Sequence, residues 1–240
     1  MGDKSTYGQF CPIARTAEIL AERWTPLVVR ELICGSHRFN DLQRGLPRMS
    51  SSLLSRRLKE LEHAGIVQRS AGESGRNAEY HLTEAGKDLF PILMRMGEWA
   101  QRWVRDDLTA DENLDPVLLM WDIRRNVTTD GIPGNRRFLV QFLFRNMPHT
   151  KRSYWLIFEN GAVDICYRDP GYDVELLVTS DVLSLTKVWL GHESIGDAIA
   201  AGRLQLEGGA QEALAFRTWF SLSVFAPAAQ QAAATLPPDL

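Results

Sequence analysis

The stretch MSSSLLSRRLKELEHAGIV, residues 49–67, decides the fold of the first half of this chain. Leu54, Leu58 and Leu61 recur at helical spacing, which places them on one face of an α-helix. Ser50 is a suitable N-cap, because a serine hydroxyl accepts hydrogen bonds from the unpaired amides of a first turn. Gly65 is placed to end the helix in a left-handed conformation. The stretch therefore predicts an amphipathic helix with a fixed beginning and end.

The polar face of this helix carries hydroxyls and cations, and no acid precedes Glu60. Hydroxyl, guanidinium and ammonium groups are the groups that bond phosphate oxygens and base edges of DNA. We therefore predict a DNA recognition helix, with an ordinary solvated helix face as the alternative. The side chains expected at the major groove are Ser51, Ser52, Ser55, Arg56 and Lys59, together with the capping Ser50.

The residues before this stretch predict three further helices. They span residues 12–20, beginning at Pro12, then 24–34, ended by Gly35, and then 38–46. Pro47 turns the chain between the third helix and the recognition helix. A short helix, a tight turn and a second helix with a polar outer face is the helix-turn-helix arrangement.

After Gly65 the hydrophobic pattern changes to that of two short strands, residues 66–70 and 78–82. The Gly/Ser/Asn loop at 71–77 between them is typical of a hairpin, and a basic hairpin in this position is a wing that touches phosphates or the minor groove. An ordinary solvent-facing hairpin is the alternative. The residues expected at phosphates or in the wing are Arg48, Arg57, Arg69, Arg76 and Asn77.

The distribution of charge favours the same half for binding DNA. The chain has a net charge of −3, but residues 1–107 hold 16 Lys and Arg against 14 Asp and Glu, whereas residues 108–240 hold 11 against 16. Within residues 30–76 the count is 9 basic to 5 acidic. DNA binding depends on where the charge lies rather than on the total.

A long helix is predicted over residues 84–106, with Thr83 as its cap and Pro91 as a possible kink in its second turn. Its apolar face includes Trp99 and Trp103, and so large a stripe is either core or a partner surface. We favour a face shared with a second subunit, since helix-turn-helix proteins commonly pair two-fold on two half-sites.

Five segments occur in an order that resembles the HxlR-type family of winged-helix transcription regulators. They are Cys11-Pro12, Arg23-Trp24, 38–42, 58–67 and 79–86, and the resemblance covers about residues 8–106. It implies a homodimer on a pseudo-palindromic operator in double-stranded DNA. Family wings commonly hold a proline before the Glu-Tyr strand; Asn77-Ala78 stand there in this chain.

Cys11 lies where some members of that family carry a redox-sensing cysteine. A sensing thiol needs access and a lowered pKa, which the helix start at Pro12 and the nearby Arg15 would favour. An inert half-buried cysteine is the alternative. The three cysteines match no metal spacing and no disulfide framework, which fits a reducing cytoplasm.

The remaining residues predict a separate α+β domain. We expect a winged helix-turn-helix domain at 1–107, an acidic linker at 108–116, a second domain at 117–226 and a frayed tail at 227–240. Strand-like runs at 137–144, 153–159, 162–167 and 174–179 precede helices at 181–190, 194–201 and 210–220. This order predicts a mostly antiparallel sheet covered by helices, after a mainly α winged-helix domain.

Segments 174–181, 185–191 and 198–208 are similar to the sterol-carrier-protein type of lipid-binding domain. The resemblance covers about residues 115–226 and implies a tunnel for an apolar ligand between the sheet and the helices. It does not identify the ligand or its binding residues.

The sequence thus predicts a cytoplasmic DNA-binding regulator with a C-terminal domain that senses an apolar small molecule or lipid. The alternative is a DNA-binding dimer whose second domain is a lipid carrier or dimerisation module without regulatory coupling. An enzyme ranks third, because no nucleophile elbow or phosphate loop is present. We expect no cofactor and no metal. We also expect no membrane partner, since no run of 18 apolar residues occurs.

Overall fold

The computed structural model describes residues 6–72, 78–132 and 136–235. The chain divides into two compact units between Arg95 and Met96. This division lies before the predicted linker at 108–116, whose residues belong to the second unit. In the described ranges no helix is both long and apolar enough to cross a membrane.

The first unit contains the helices and the hairpin that the sequence predicts. Its elements are α1 (Pro12–Leu20), α2 (Thr25–Ile33), α3 (Phe39–Gly45), α4 (Ser51–His63), β1 (Val67–Ala71), β2 (Ala78–Leu82), α5 (Glu84–Lys87) and the start of α6 (Phe90–Trp103). β1 and β2 pair antiparallel, with Val67 opposite Leu82. The winged-helix fold of this unit is confirmed.

Both ends of α4 follow from the side chains that the sequence places there. The Ser50 hydroxyl accepts a hydrogen bond from the Leu53 amide at 3.3 Å, as predicted for the N-cap. At the other end Gly65 has a φ of +72°, the left-handed conformation that glycine adopts without a Cβ clash. Leu54, Leu58 and Leu61 point inward and are buried with residues of α2 and α3.

The predicted long helix at 84–106 is wrong, because three shorter helices occupy this stretch. α5 ends at Lys87, α6 begins at Phe90, and α7 (Arg105–Leu108) follows it. Pro91 has no N–H to donate to the carbonyl four residues earlier and its ring clashes there, so the helix stops and restarts around it. Thr83 does cap the first of the three, accepting from the Gly86 amide at 3.2 Å.

The second unit is an α+β structure that begins with the rest of α6. Its further elements are α7, α8 (Pro116–Asn126), β3 (Phe138–Phe144), β4 (Ser153–Glu159), β5 (Ala162–Cys166), β6 (Leu176–Ser180), α9 (Val182–Leu190), α10 (Ile195–Ala200), β7 (Gln205–Gly208), α11 (Ala210–Trp219) and α12 (Ala226–Thr235). Short 3₁₀ turns lie at Asp111–Asn113 and His149–Lys151.

The sheet of the second unit is mixed, so the expectation of a mostly antiparallel sheet is confirmed only in part. The strand order is β5-β4-β3-β6-β7, and β3 runs parallel to β6 in the centre while the other pairs are antiparallel. The parallel pair arises because residues 167–175 carry the chain from the edge strand β5 back across the sheet. A connection of this kind returns the chain in its original direction.

One face of this sheet forms the core of the second unit. Side chains alternate along a strand, so every second residue of β3, from Phe138 to Phe144, faces α8, α9 and α11. Asn160 and Gly161 both have positive φ, the conformation of the tight hairpin turn predicted between β4 and β5.

The C-terminal segment is a packed helix, not the frayed tail expected from residue 227. Ala229 and Ala232 of α12 are buried. Within the same unit, the Phe225 ring lies against Gly97 of α6, where an added Cβ would be 2.3 Å from a ring carbon. Arg105 also donates to the Ala229 carbonyl at 3.2 Å. Small side chains and backbone contacts hold this segment. Neither produces an apolar periodicity in the sequence, so the sequence did not predict this helix.

A buried polar pair joins α6 to the residues that follow α9. Gln101 is 2% exposed, and its Oε1 lies 2.7 Å from Nε2 of the half-buried His192. Burial, followed by the neighbouring cations Arg105 and Lys187, lowers the pKa of His192 from 6.5 to about 4. The imidazole is therefore neutral at pH 7 and donates to the amide oxygen.

This lowered pKa makes the second unit sensitive to acid. Between pH 6.5 and 4 the unfolded chain binds a proton at His192 that the folded chain does not, so stability falls as the pH falls through this window. We expect His192→Asn to reduce the loss of thermal stability between pH 7 and pH 5. Differential scanning calorimetry at both pH values measures it, with the exposed His149→Asn as control; equal losses in wild type and His192→Asn would contradict the prediction.

Candidate DNA-binding surface

The turn between α3 and α4 is held by an amide side chain. Nε2 of Gln43 donates to the carbonyls of Met49, at 2.6 Å, and Leu46, at 3.2 Å. These two bonds close the turn that sets the angle between the two helices of the helix-turn-helix. Sequence reasoning missed Gln43, because nothing in its spacing distinguishes it from a surface residue.

A fully buried carboxylate supports α3 from behind. Glu31 of α2 is 0% exposed, and its Oε1 accepts from Arg30 at 2.6 Å. An alanine Cβ at Gly45 would lie 1.9 Å from its other oxygen, so a side chain at this position would require the Glu31 carboxylate to move. A signal for Glu31 was present, since an acid within the apolar stripe of a helix must be paired when it is buried.

The outer face of α4 is hydroxylic and cationic, as predicted. Ser51, Ser52, Arg56 and Lys59 are exposed and Ser55 is half-buried. Arg56 and Lys59 form no hydrogen bond or ion pair with any other residue that the structure describes. Their charges are therefore available to an anionic partner.

Arg57 is the exception among the predicted contacts. It is 8% exposed, Nη2 bonds Glu22 at 2.6 Å, and Nη1 bonds Glu60 at 2.6 Å. We expected Arg57 at a phosphate, but its guanidinium is turned inward and paired with two carboxylates. Helical geometry explains this, because residue 57 lies on the same side of α4 as Leu54 and Leu61.

Two further cations flank α4. Arg48 is exposed in the turn before the helix, and Arg69 is exposed on β1 of the hairpin. Every residue of β1 after Val67 is exposed. The predicted contacts Arg76 and Asn77 lie outside the described residues.

The hairpin is fastened to the start of α3. The Tyr80 amide donates to the His37 carbonyl at 2.8 Å, and Arg38 pairs with Glu79 at 3.2 Å. The rings of His37 and His81 lie with centroids 4.4 Å apart. These contacts hold β2 beside the helix-turn-helix, so the wing has a fixed base.

An open cleft lies beside α4. It has a volume of about 190 Å³, and its walls come from α1, from the following turn, from the start of α2 and from α4. The lining residues are Glu18, Ile19, Glu22, Thr25, Arg56, Arg57, Glu60, Leu61 and Ala64. The lining includes both arginines of α4, so the exposed Arg56 lies where the outer face of the helix meets the cleft.

Cys11 directly precedes α1 and is a half-buried free thiol. Arg15, expected to favour the thiolate, is engaged by Glu18. Redox sensing at Cys11 stays a prediction. In the described part of the chain no group of His, Cys, Asp and Glu is arranged to hold a metal ion.

The core of the second unit contains polar atoms without partners in the described ranges. The Trp219 indole nitrogen is buried among Phe158, Phe216 and Phe220, and it has no acceptor there. The indole nitrogen of Trp189 and the hydroxyl of Thr179 are likewise buried and unpaired. Such donors are costly to leave unsatisfied in an apolar core.

Comparison with known proteins connects the first unit to bacterial regulators. A family model described as HxlR-like helix-turn-helix matches residues 19–108. The uncharacterized HTH-type transcriptional regulator YvaP of Bacillus subtilis is 42% identical over 98 residues, 40% of this chain and 91% of YvaP. The uncharacterized HTH-type transcriptional regulator Rv3095 of Mycobacterium tuberculosis is 34% identical over 139 residues, 51% of this chain and 86% of Rv3095. The reduced form of the regulator YodB from Bacillus subtilis, a solved structure, is 34% identical; the match covers 40% of this chain and 95% of YodB, with a TM-score of 0.36.

Proposed function

This chain belongs to the HxlR-like helix-turn-helix family, and we propose that it regulates transcription as a dimer on a pseudo-palindromic operator, under the control of its second unit. The observation that carries the DNA-binding part is the outer face of α4, where Arg56 and Lys59 are exposed and unpaired among the described residues. Its inner face is buried, so the helix presents these cations on a rigid support.

We assign different roles to the cations of this surface. Arg56, with Ser52 and Lys59, lies on the face that would enter the major groove, where arginine reads guanine through two hydrogen bonds. Arg48 and Arg69 flank the helix and suit phosphates, which fix the register on DNA without reading sequence.

The roles are separable by mutation. Arg56→Gln should lower affinity for the preferred operator by about 1–3 kcal/mol and relax sequence preference. Arg69→Gln should weaken binding to all sequences alike and reduce by about 1 the slope of log affinity against log salt concentration. Fluorescence anisotropy across a salt series measures both, on duplexes selected from random sequence by the full-length chain. Arg217→Gln, an exposed charge of the second unit, is the control for net charge; if both test variants bind like it, this docking mode is wrong.

The dimer is supported by an exposed apolar row on α6, here called the α6 seam. It consists of Ile92, Met96, Trp99 and Trp103, which are 43%, 52%, 58% and 55% exposed. The spacing of four, three and four residues is the heptad pattern by which two helices pack together. Exposed aromatic and methionine side chains are costly in water and enriched at interfaces.

A charge in this seam should prevent pairing. Trp99→Glu is expected to weaken dimerisation at least about tenfold, because a carboxylate would be buried opposite its own copy. Sedimentation velocity over a concentration series measures this. Leu214→Glu, a like change at a 71% exposed position of α11, should leave the association unchanged; a dimer that survives Trp99→Glu unaltered places the interface elsewhere.

For the second unit we propose a small apolar ligand that carries a hydrogen-bond acceptor. The helix-covered sheet and its aromatic core support the sterol-carrier-like interpretation. The buried indole N–H of Trp219 supports the acceptor, since a ligand oxygen would recover the cost of leaving that donor unpaired.

The route by which a ligand would act is α6 itself. Gly97 and Gln101 lie on the side of α6 opposite the α6 seam and contact Phe225 and His192. A ligand changes operator affinity only if it prefers one arrangement of the dimer. A ligand that shifts the segment around Phe225 would change the position of α6, the helix that carries the α6 seam.

A fluorescent fatty acid, cis-parinaric acid, probes this proposal. We expect saturable binding to the full-length chain, about tenfold weaker in Trp219→Phe because one hydrogen bond is lost. Trp155→Phe, the same change on the other face of the sheet, is the control. Operator affinity should change about 5- to 150-fold on saturation; binding without that change would favour the carrier or dimerisation module, and no binding would remove the ligand proposal.

A further inference from the structure

Arg57 is a buried charge in the middle of the recognition helix, where an apolar residue would pack more readily. Burying a guanidinium is costly unless it is paired and hydrogen-bonded. Its side chain is 10% exposed, and both terminal nitrogens reach carboxylate oxygens at 2.6 Å. These ion pairs of Arg57 with Glu22 and Glu60, here called the bridge, replace apolar packing with an interaction of defined geometry.

The two carboxylates have different origins. Glu60 lies three residues further along α4, so its bond to Arg57 stays within the helix. Glu22 lies in the turn between α1 and α2, thirty-five residues away in sequence. The Arg57–Glu22 bond therefore ties the recognition helix to a separate element.

The turn that holds Glu22 is itself constrained. Trp24, two residues later, has a φ of +79°, a left-handed conformation that is unfavourable for a non-glycine residue. The Arg23 guanidinium lies 5.5 Å from the centre of the Trp24 ring. A strained residue persists only where its surroundings determine it, so the backbone of the turn that carries Glu22 is constrained.

Packing around this bridge is incomplete. The open cleft of about 190 Å³ lies here, between α4 and the elements that carry Glu18 and Glu22. Apolar contacts are non-directional, so they restrain the rotation of a helix about its axis less tightly than directional bonds do. A guanidinium bound to two carboxylates has directional bonds and restricts that rotation.

We propose that Arg57 is a positioning residue, which sets the rotation of α4 by binding Glu22 and thereby aims the neighbouring Arg56 at the DNA bases. This inference rests on the proposed function of α4. Neither Glu22 nor Arg57 touches DNA. The bridge governs the preference for one sequence, not the general attraction to phosphates.

The direction in which one substitution changes DNA affinity tests the proposal. Glu22→Gln removes a negative charge, which by electrostatics alone should strengthen binding to every DNA. The positioning role predicts the opposite for the preferred site: about two- to thirtyfold weaker binding to the selected operator, with affinity for unrelated DNA equal or slightly higher. The salt slope should stay unchanged, because no phosphate contact is lost.

Glu18→Gln is the matched control. Glu18 lines the same cleft and carries the same charge, but it bonds Arg15 and the Tyr7 amide instead of Arg57. Glu18→Gln should therefore show only the electrostatic effect, a slightly higher affinity for every DNA. Arg57→Lys is the second test variant, since a lysine cannot hold both carboxylates in the geometry of a guanidinium, and it should lose operator preference as Glu22→Gln does.

Fluorescence anisotropy with the selected operator and with unrelated DNA, for variants whose thermal midpoints match wild type, separates the possible outcomes. If Glu22→Gln behaves like Glu18→Gln, the positioning role is wrong. Equal weakening on both DNAs would also overturn it, because that pattern marks general loss of structure. If selection with the wild-type chain enriches no sequence, the proposed function itself fails, and the inference falls with it.

Discussion

The division of α4 into a buried and an exposed face is the constraint on which the first unit depends. Leu54, Leu58 and Leu61 remove apolar surface from water on one side, which requires α2 and α3 to lie beneath them. The same burial leaves the serines and cations of the other side in solvent. A helix that is stabilised from one side presents the other as a rigid surface, and DNA recognition needs such a surface.

Polar contacts supply the angles that apolar burial cannot. Gln43 closes the turn between the two helices, and the buried Glu31 carboxylate lies against Gly45 at the end of α3. Arg57 adds a bond between α4 and the turn before α2. All three are directional, and Glu31 and Arg57 are buried, where hydrogen bonds to charged groups contribute more than on the surface. The apolar core thus determines that the helices pack, and these side chains determine how.

In the second unit, apolar packing outweighs hydrogen bonding in the core. Its core is aromatic and apolar, but it holds indole and hydroxyl groups without partners among the described residues. The buried indole N–H of Trp219 is a cost that an aromatic side chain without a polar atom would avoid. Within this unit α6 is bonded through Gln101 to His192 and packs through Gly97 against the C-terminal segment. The helix that carries the α6 seam is therefore also a structural member of the α+β unit.

The sequence by itself determined the elements whose causes are local. Helical spacing and a serine cap predicted α4 to within a residue, and Asn160-Gly161 predicted its hairpin. The parallel pairing of β3 with β6, the packed α12 and the inward turn of Arg57 were decided only in the tertiary structure. These depend on partners distant in sequence: a crossover, a surface for small side chains and a carboxylate thirty-five residues away. Periodicity reports the face on which a side chain lies, but only the fold supplies the group that it meets.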